Sequence, residues 1–163
     1  IESGRGRIVM KMNGLVDAPM ISKLYEASQA GVNIDLIVRG TCCLRPGVAG
    51  MSERIRVRSV VGRFLEHSRI FQFGNGRGPG QPMTYIGSAD LMSRNLNRRV
   101  EVLVRIDDPA LTDRLQEVID VGLTDDQLAW TLDGDGVWTR RLGPAGIDSH
   151  ERLHHLATAR SRA

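Results

Sequence analysis

The sequence predicts an α/β fold in which helices flank a mixed β-sheet. Two observations support this prediction. A strand–helix–strand pattern opens the chain, and several short strand-like segments follow it with a further amphipathic helix among them. The 163 residues are enough for one domain with a hydrophobic core. Hydrophobic residues make up 41 % and charged residues 25 % of the chain, as in ordinary globular proteins, and no apolar run is long enough to span a bilayer.

The first segments of the chain predict a βαβ unit. Residues 7–12 (RIVMKM) have strand composition, and residues 34–38 (IDLIV) are almost continuously apolar, as in a strand covered on both faces. The helix between them is expected to begin after an N-cap at Asp17, with Pro19 in its first turn, and to end near Gly31. The two strands should therefore be parallel and joined by a right-handed crossover.

This unit predicts where a ligand would bind. Lys11 and Asn13 lie at the end of the first strand, and Arg39 follows the second. Because ligands of open α/β sheets bind beyond the carboxyl ends of the strands, we expect these three side chains to face one crevice.

The rest of the chain predicts shorter elements. Asp108 and Pro109 open a helix with one apolar face. From Gly143 onward the chain is polar, and we expect a frayed helix or disorder there, so the expected organisation is a domain over residues 1–142 and a polar tail over residues 143–163. Strands are expected at 54–60, 69–73, 84–87 and 99–106, and a hairpin at 129–132 and 137–140 around an Asp-Gly turn.

Arginine dominates the basic residues. Lys11 and Lys23 are the two lysines, so 20 of the 22 basic residues are arginine, and the net charge is +3. Arginine forms bidentate contacts with phosphate, although a genome rich in Arg codons would produce the same bias. Arg54, Arg56 and Arg58 alternate along one predicted strand and would line either a polyanion channel or the solvated face of an edge strand.

His67 is the candidate for chemistry. It lies two residues before Arg69, and residues at this spacing in a strand point the same way. A neutral imidazole can accept a proton or a phosphoryl group, and a neighbouring guanidinium would stabilise the negative charge that develops on phosphate. The alternative is a histidine that is hydrogen-bonded and packed without a catalytic role.

Three other motifs predict no ligand site. The loop GNGRGPG (74–80) lacks both a following helix and the Lys-Ser/Thr ending of a phosphate-binding loop. Residues 150–154 match H-E-x-x-H, but they lie in the polar tail and have no third ligand, so we expect no zinc. Cys42 and Cys43 are adjacent and have no other partner, which predicts buried thiols in a reducing, cytoplasmic setting.

Four segments resemble a known family. KMNGLVD, LYEASQAGVNIDLIVRGTCCLRPGV, RIRVRSVVGRFLEHSRIFQF and YIGSADLMSRNLNRRVEVLVRI are similar to the C-terminal catalytic region of bacterial polyphosphate kinases, over residues 4–142. The resemblance implies a phospholipase D-like fold. HSR (67–69) and GSAD (87–90) look like an altered form of that superfamily's His-x-Lys and Gly-Ser-x-Asn signature, with Arg69 where lysine is usual.

The resemblance implies a reaction and roles within it. The family transfers the γ-phosphate of ATP reversibly to polyphosphate through a phosphohistidine, which lies in a preceding domain that this chain does not contain. His67 matches a second functional histidine, which acts as acid or base or stabilises the transfer, and Arg39 matches an ATP-contacting arginine. The remaining candidates for ATP or polyphosphate binding are Lys11, Arg69, Ser88, Asp90 and Arg99.

The resemblance also implies partners. Mg²⁺ is expected to be held mainly by ATP and upstream residues, with no metal ligand in this chain. The chain starts at Ile1 rather than Met, and we expect it to act with the remaining domains of the same polypeptide, in a homo-oligomer, on ATP or ADP and polyphosphate. We expect a cytoplasmic protein, with peripheral attachment to the membrane left open, no binding of nucleic acid, and no turnover by the isolated chain.

Two alternatives remain open at this point. A phospholipase D-like phosphodiesterase or nuclease would need a dimer that brings two copies of His67 together. A non-catalytic polyanion-binding module would need only the arginines. Aromatic residues make up 4 % of the chain, which disfavours a platform that stacks single-stranded bases.

Overall fold

The computed structural model describes residues 6–77 and 80–162. In this part of the chain, eight strands form one sheet: β1 (Arg7–Met12), β2 (Asn33–Val38), β3 (Ile55–Val60), β4 (Ile70–Phe73), β5 (Met83–Gly87), β6 (Leu103–Ile106), β7 (Ala129–Leu132) and β8 (Trp138–Arg140). The helices are α1 (Ala18–Gln29), α2 (Ser93–Arg98), α3 (Pro109–Thr124) and α4 (Ser149–Ser161). None of these helices is long and apolar enough to cross a membrane.

The sheet is mixed, with strand order β6-β5-β4-β1-β2-β3-β7-β8. β2 pairs in parallel with both β1 and β3, while the outer pairs are antiparallel. The predicted βαβ unit is confirmed, and its cap as well, since the Asp17 side chain accepts a hydrogen bond from the Met20 backbone at 3.1 Å. The predicted α/β class with a mixed sheet and flanking helices is therefore confirmed.

Both faces of the central strands are covered. On one face Met10, Leu36 and Val57 belong to the larger core, which α1 closes with Leu24. On the other face Val9 packs in a second cluster with residues of α3. Because apolar contacts hold β1 and β2 from both sides, the residues that follow these strands start from fixed positions.

The arginines of β3 do not lie on an edge strand, so the edge-strand alternative was wrong. β3 pairs with β2 on one side and with β7 on the other. Arg56 donates to Asp35 at 2.8 Å, and Arg58 donates to the Gly122 carbonyl oxygen at 3.2 Å. Arg54 precedes the strand and is exposed. The fold holds two of the three guanidinium groups, and a polyanion channel along this face stays a prediction.

The strand expected over residues 99–106 is shorter than predicted. Residues 93–98 form α2, and β6 begins at Leu103, opposite Gly87. The alternating apolar pattern of RVEVLVRI continues before this point, but Val100 is fully exposed. Strand pairing is lost there because β5, the neighbouring strand, ends at Gly87.

A frayed helix or disorder was expected in the C-terminal tail, and the structure instead has a capped helix of 13 residues there. Residues 149–161 form α4, capped by Asp148, whose side chain accepts from the Glu151 backbone at 3.0 Å. The Ser149 backbone donates to Asp125 at 2.8 Å. The helix looked polar in sequence because it buries mainly its first turn and leaves the rest in solvent. The division into residues 1–142 and 143–163 stays a prediction.

The loop between β4 and β5 joins two antiparallel strands, as expected. Residues 78 and 79 of this loop, like residues 1–5 and 163, lie outside the described residues.

Candidate functional site

A continuous series of hydrogen bonds joins Arg39 to His67 at the carboxyl edge of β1 and β2. The Arg39 Nε donates to the Asn13 side chain at 2.8 Å, and the Asn13 backbone donates to Asp90 at 2.7 Å. Asp90 also accepts from Arg69 Nη2 at 2.8 Å, and Arg69 Nη1 lies 2.9 Å from His67 Nδ1. The two main sequence candidates thus belong to one network. Asn13 joins Arg39 in it, while a crevice shared by Lys11, Asn13 and Arg39 stays a prediction.

Asp90 is the centre of this network. It is buried and accepts a second backbone hydrogen bond, from Gly14 at 3.3 Å, in addition to the contacts with Asn13 and Arg69. Burial alone would raise the pKa of Asp90, but the hydrogen bonds from Arg69 and from the backbone of Asn13 and Gly14 outweigh burial and hold the pKa below its ordinary value. Asp90 is therefore an anionic anchor that fixes both the end of β1 and Arg69.

The contact with Arg69 defines the state of the His67 ring. A guanidinium only donates hydrogen bonds, so the ring nitrogen that it contacts must accept. The shorter contact is at Nδ1, with the Nε2 contact at 3.3 Å, so we assign the proton of the neutral ring to Nε2. His67 is exposed. Its Nε2–H can therefore donate to an incoming ligand, with the Arg69 guanidinium alongside both ring nitrogens.

Arg39 presents its charged end to the crevice. Its Nε donates a hydrogen bond to Asn13. Its two Nη nitrogens form no hydrogen bond or ion pair with the described residues. A fork of this kind is suited to bidentate contact with phosphate oxygens.

Lys11 adds a third cationic group to this edge. It is buried and forms an ion pair with Glu66. Burial lowers the pKa of Lys11 to about 8, and the nearby charges of Arg39 and Arg69 contribute to the shift. Sequence reasoning missed Glu66 as its partner, although Glu66 directly precedes His67 and is one of two acids in an arginine-rich segment.

Ser88 and Arg99 meet at a neighbouring cluster around Glu101. Ser88 Oγ donates to Glu101 and accepts from the Val102 backbone at 3.0 Å, and Arg99 Nε lies 3.7 Å from the Glu101 carboxylate. The hydrogen bond from Ser88, followed by one from Asn95, lowers the pKa of Glu101. These contacts keep both candidates out of the series that joins Arg39 to His67.

A groove of about 600 Å³ connects the two clusters. It is lined by Arg69 and Ser88 and has apolar walls that include Val102 and Val104. This volume is in the range of small-molecule sites in proteins. Ser88 therefore lies within reach of a ligand that also contacts Arg69.

The described residues contain no group of three or more His, Cys, Asp or Glu side chains placed to hold a metal ion. The nearest carboxylates, Glu66 and Asp90, are already paired with Lys11 and Arg69. Both carboxylates therefore already have a cationic partner, and an anion ligand at this edge stays a prediction.

The cysteines differ from the expectation of two buried thiols. Cys42 packs partly against the core, and burial raises the pKa of its thiol, but Cys43 is exposed. Both are unpaired, and Cys43 turns outward because neighbouring side chains in an extended segment point to opposite sides.

Comparison with known proteins identifies relatives of the chain. Residues 2–149 match the family model described as polyphosphate kinase C-terminal domain 2. The chain is 54 % identical over 155 residues to a polyphosphate kinase of Thermosynechococcus vestitus, covering 95 % of this chain and 21 % of that protein. It is 53 % identical over 163 residues to a polyphosphate kinase of Synechocystis, covering all of this chain and 22 % of that protein.

Solved structures agree with these sequence matches. The crystal structure of polyphosphate kinase from Porphyromonas gingivalis superposes with a TM-score of 0.90 at 36 % identity, covering 99 % of this chain and 24 % of that chain. Nuc, a phospholipase D family member from Salmonella typhimurium, superposes with a TM-score of 0.55 at 15 % identity, covering 82 % of each chain, which shows a shared fold. The chain spans less than a quarter of the length of these polyphosphate kinases.

Proposed function

The chain belongs to the polyphosphate kinase family, and from this membership we propose that it forms the C-terminal part of an enzyme that reversibly transfers the γ-phosphate of ATP to polyphosphate. In this proposal the phosphohistidine lies elsewhere in the polypeptide. This chain supplies the residues that hold and neutralise the phosphates. The remaining domains, a homo-oligomeric state and a cytoplasmic location stay predictions.

The observation that carries the proposal is the series of hydrogen bonds from Arg39 through Asn13, Asp90 and Arg69 to His67. Phosphoryl transfer needs little covalent help from the protein, and catalysis comes mainly from positioning and from stabilising negative charge. A rigid network that directs one free guanidinium fork and one imidazole N–H to the same edge of a sheet meets both needs.

Each group has a separate task in this proposal. The two Nη nitrogens of Arg39 bind phosphate oxygens of the nucleotide. His67 donates an Nε2–H hydrogen bond to an oxygen of the phosphate being transferred, and this bond stabilises the negative charge in both directions of the reaction. Arg69 orients the ring, and Lys11 adds positive charge that depends on pH because its pKa lies near 8.

Magnesium does not fit this part of the polypeptide. Glu66 and Asp90 are the carboxylates at the site, and cationic side chains neutralise both. We therefore derive no step from a metal held by this chain. An ion that accompanies the nucleotide would be coordinated by the phosphates and by residues outside the chain.

The test is a calorimetric titration of the 163-residue chain with long-chain polyphosphate and with ATP–Mg²⁺. Arg39→Ala should weaken binding about tenfold, because a charge-assisted hydrogen bond contributes roughly 1.5–3 kcal/mol. Arg54→Ala is the matched control. It removes the same charge from an exposed position just before β3, at the opposite edge of the sheet, and should change affinity less than twofold.

The outcomes separate the proposal from its rivals. An equal loss in Arg39→Ala and Arg54→Ala would show diffuse attraction of a polyanion and overturn the assigned site. If the wild-type chain binds neither polyphosphate nor ATP, these residues do not bind phosphate without the other segments of the polypeptide. Hydrolysis of a chromogenic phosphodiester that is lost in His67→Ala would instead favour the phosphodiesterase alternative.

A further inference from the structure

We propose that His150, in the first turn of α4, is a positioning residue that holds the His67 loop in its working conformation. The His67 loop is the connection between β3 and β4, residues 61–69, which carries Glu66 and His67. His150 belongs to the H-E-x-x-H motif, for which the sequence predicts no zinc, and the function proposed above assigns it no task. The inference rests on that function only where it uses polyphosphate as a probe.

The contact between His150 and the loop is specific. The Phe64 backbone N–H donates to His150 Nδ1 at 3.1 Å, two residues before Glu66 and three before His67. The rings of Phe64 and His150 also stack, with centroids 5.8 Å apart and planes inclined by 25°. One histidine therefore fixes both the backbone and the side chain at the middle of the loop.

The His67 loop leaves space for the His150 ring at Gly62. A Cβ on Gly62 would lie 2.8 Å from His150 Nδ1 and 2.5 Å from a methyl group of Leu128. A larger residue at position 62 would thus overlap both the Leu128 methyl group and the His150 ring, independently of its backbone angles. The sequence of the loop and the position of His150 are matched to each other.

The other side of the ring faces the site. Because Nδ1 accepts from a backbone N–H, the proton of the neutral ring is on Nε2. His150 is 7 % exposed, and its Nε2 is buried without a hydrogen-bond partner among the described residues. The ring lines a cavity of about 20 Å³ together with Lys11, Arg39 and Glu66. A cavity of this size holds about one water molecule, through which Nε2–H can reach the charged groups of the site.

His150 is itself held by the fold. The Ser149 backbone donates to Asp125, which also accepts from the Leu128 backbone at 2.7 Å, so the start of α4 is fixed to the turn after α3. Arg160 binds Glu117 at 3.0 Å further along the two helices. α4 therefore acts as a brace between α3 and the loop that carries His67.

A residue with only a packing role would not need two ring nitrogens. Leucine would fill a similar volume without burying an N–H group, which costs free energy unless it is satisfied. The observations are better explained by a ring that uses both nitrogens, one to fix the His67 loop and one to interact with the polar cavity beside Lys11.

The first test needs no substitution. In the wild-type chain, ¹⁵N-edited NMR of the histidine rings should show His150 as a neutral ring with its proton on Nε2 and an unprotonated Nδ1. The Phe64 amide should be protected from hydrogen exchange. A proton on Nδ1, or a Phe64 amide that exchanges as fast as the exposed loop residues, would overturn the proposal directly.

The second test compares three variants with a control on the same helix. His150→Asn keeps an acceptor near the position of Nδ1, His150→Gln places its polar group near Nε2 instead, and His150→Leu removes both. His154→Leu is the control, because His154 is exposed on the same helix. The readouts are exchange of the Phe64 amide, the ring signals of His67 and the affinity for long-chain polyphosphate.

We expect His150→Leu and His150→Gln to speed exchange of the Phe64 amide at least tenfold, to shift or broaden the His67 ring signals, and to weaken polyphosphate binding at least threefold. His150→Asn should restore the wild-type values of all three to within about twofold, as should His154→Leu. Rescue by Asn separates positioning from packing, because Asn and Gln both fill less apolar volume than Leu.

Two results would count against the inference. If His150→Asn behaves like His150→Leu, the acceptor is not what matters. If the His67 signals stay unchanged in every variant, the brace does not reach the site. If the wild-type chain does not bind polyphosphate, the proposed function fails for this chain, while the Phe64 and His67 signals still decide the role of His150.

Discussion

Replacing Asp90 with asparagine should destabilise the folded chain by about 3 kcal/mol, because it breaks an ion pair that is largely removed from solvent. The side chains of Asp90 and Arg69 are 10 % and 12 % exposed, and they are joined at 2.8 Å and 3.2 Å. Asparagine keeps an oxygen for the backbone N–H groups of Asn13 and Gly14. The loss of stability should therefore lie at the lower end of the roughly 3–5 kcal/mol that breaking a buried ion pair costs.

Asp90→Ala extends the series. It also removes the acceptor of two backbone N–H groups, each worth about 1 kcal/mol, so the total loss should approach about 5 kcal/mol. The control is Asp107→Asn, at exposed ion pairs with Arg77 and Arg105, where less than about 1 kcal/mol is expected. Urea unfolding followed by circular dichroism at pH 7 measures all three variants.

The pH dependence adds a second criterion. The pKa of Asp90 is lower in the folded than in the unfolded chain, so its stabilisation is complete above the unfolded value of about 3.9 and is lost as the pH falls through the lower, folded value. The stability difference between wild type and Asp90→Asn should be constant from pH 7 to about pH 5 and shrink only in more acidic solution. A loss at pH 7 no greater than that of Asp107→Asn would refute the anchoring role of Asp90.

Three further outcomes are expected. The affinity for polyphosphate should fall as the pH rises from 7 to 9, because Lys11 loses its proton with a pKa near 8. Calorimetry of Lys11→Arg should show no such fall. A fall of equal size in that variant would contradict the role of Lys11 in binding. Gly62→Ala should destabilise the chain by about 1–3 kcal/mol in urea unfolding, because its methyl group overlaps the His150 ring, and an unchanged midpoint would show that the ring can move. A thiol reagent should modify Cys43 rapidly and Cys42 slowly, and the fast phase should disappear in Cys43→Ser; two equal rates would contradict the difference in burial.

The βαβ unit could be predicted because its signals are local. Asp17 and Pro19 mark a helix start, and the apolar run of β2 is short and bounded. Parallel strands then place Lys11 and Arg39 at one edge without any knowledge of the remaining chain. The direct contact of His67 with Arg69 also fits their spacing of two residues.

Other features of the site depend on residues far apart in sequence. Asp90 binds the backbone of Asn13 across 77 positions, and His150 binds Phe64 across 86. Neither pairing leaves a periodic pattern. Local patterns also failed for β3, because its alternating arginines fit an edge strand as well as a central one. They failed for α4 because the sequence of this helix is polar although its first turn is buried.

The sequence by itself determined the fold class, the family and the edge of the sheet at which Lys11 and Arg39 lie, because strand order within a βαβ unit and helix capping follow from neighbouring residues. Only the tertiary structure decided that Asp90 joins Arg69 to the end of β1 and that a terminal helix braces the His67 loop. Those contacts are selected by the packing of α3, α4 and the sheet as a whole, since hydrogen bonds between distant segments form only after the core has brought them together.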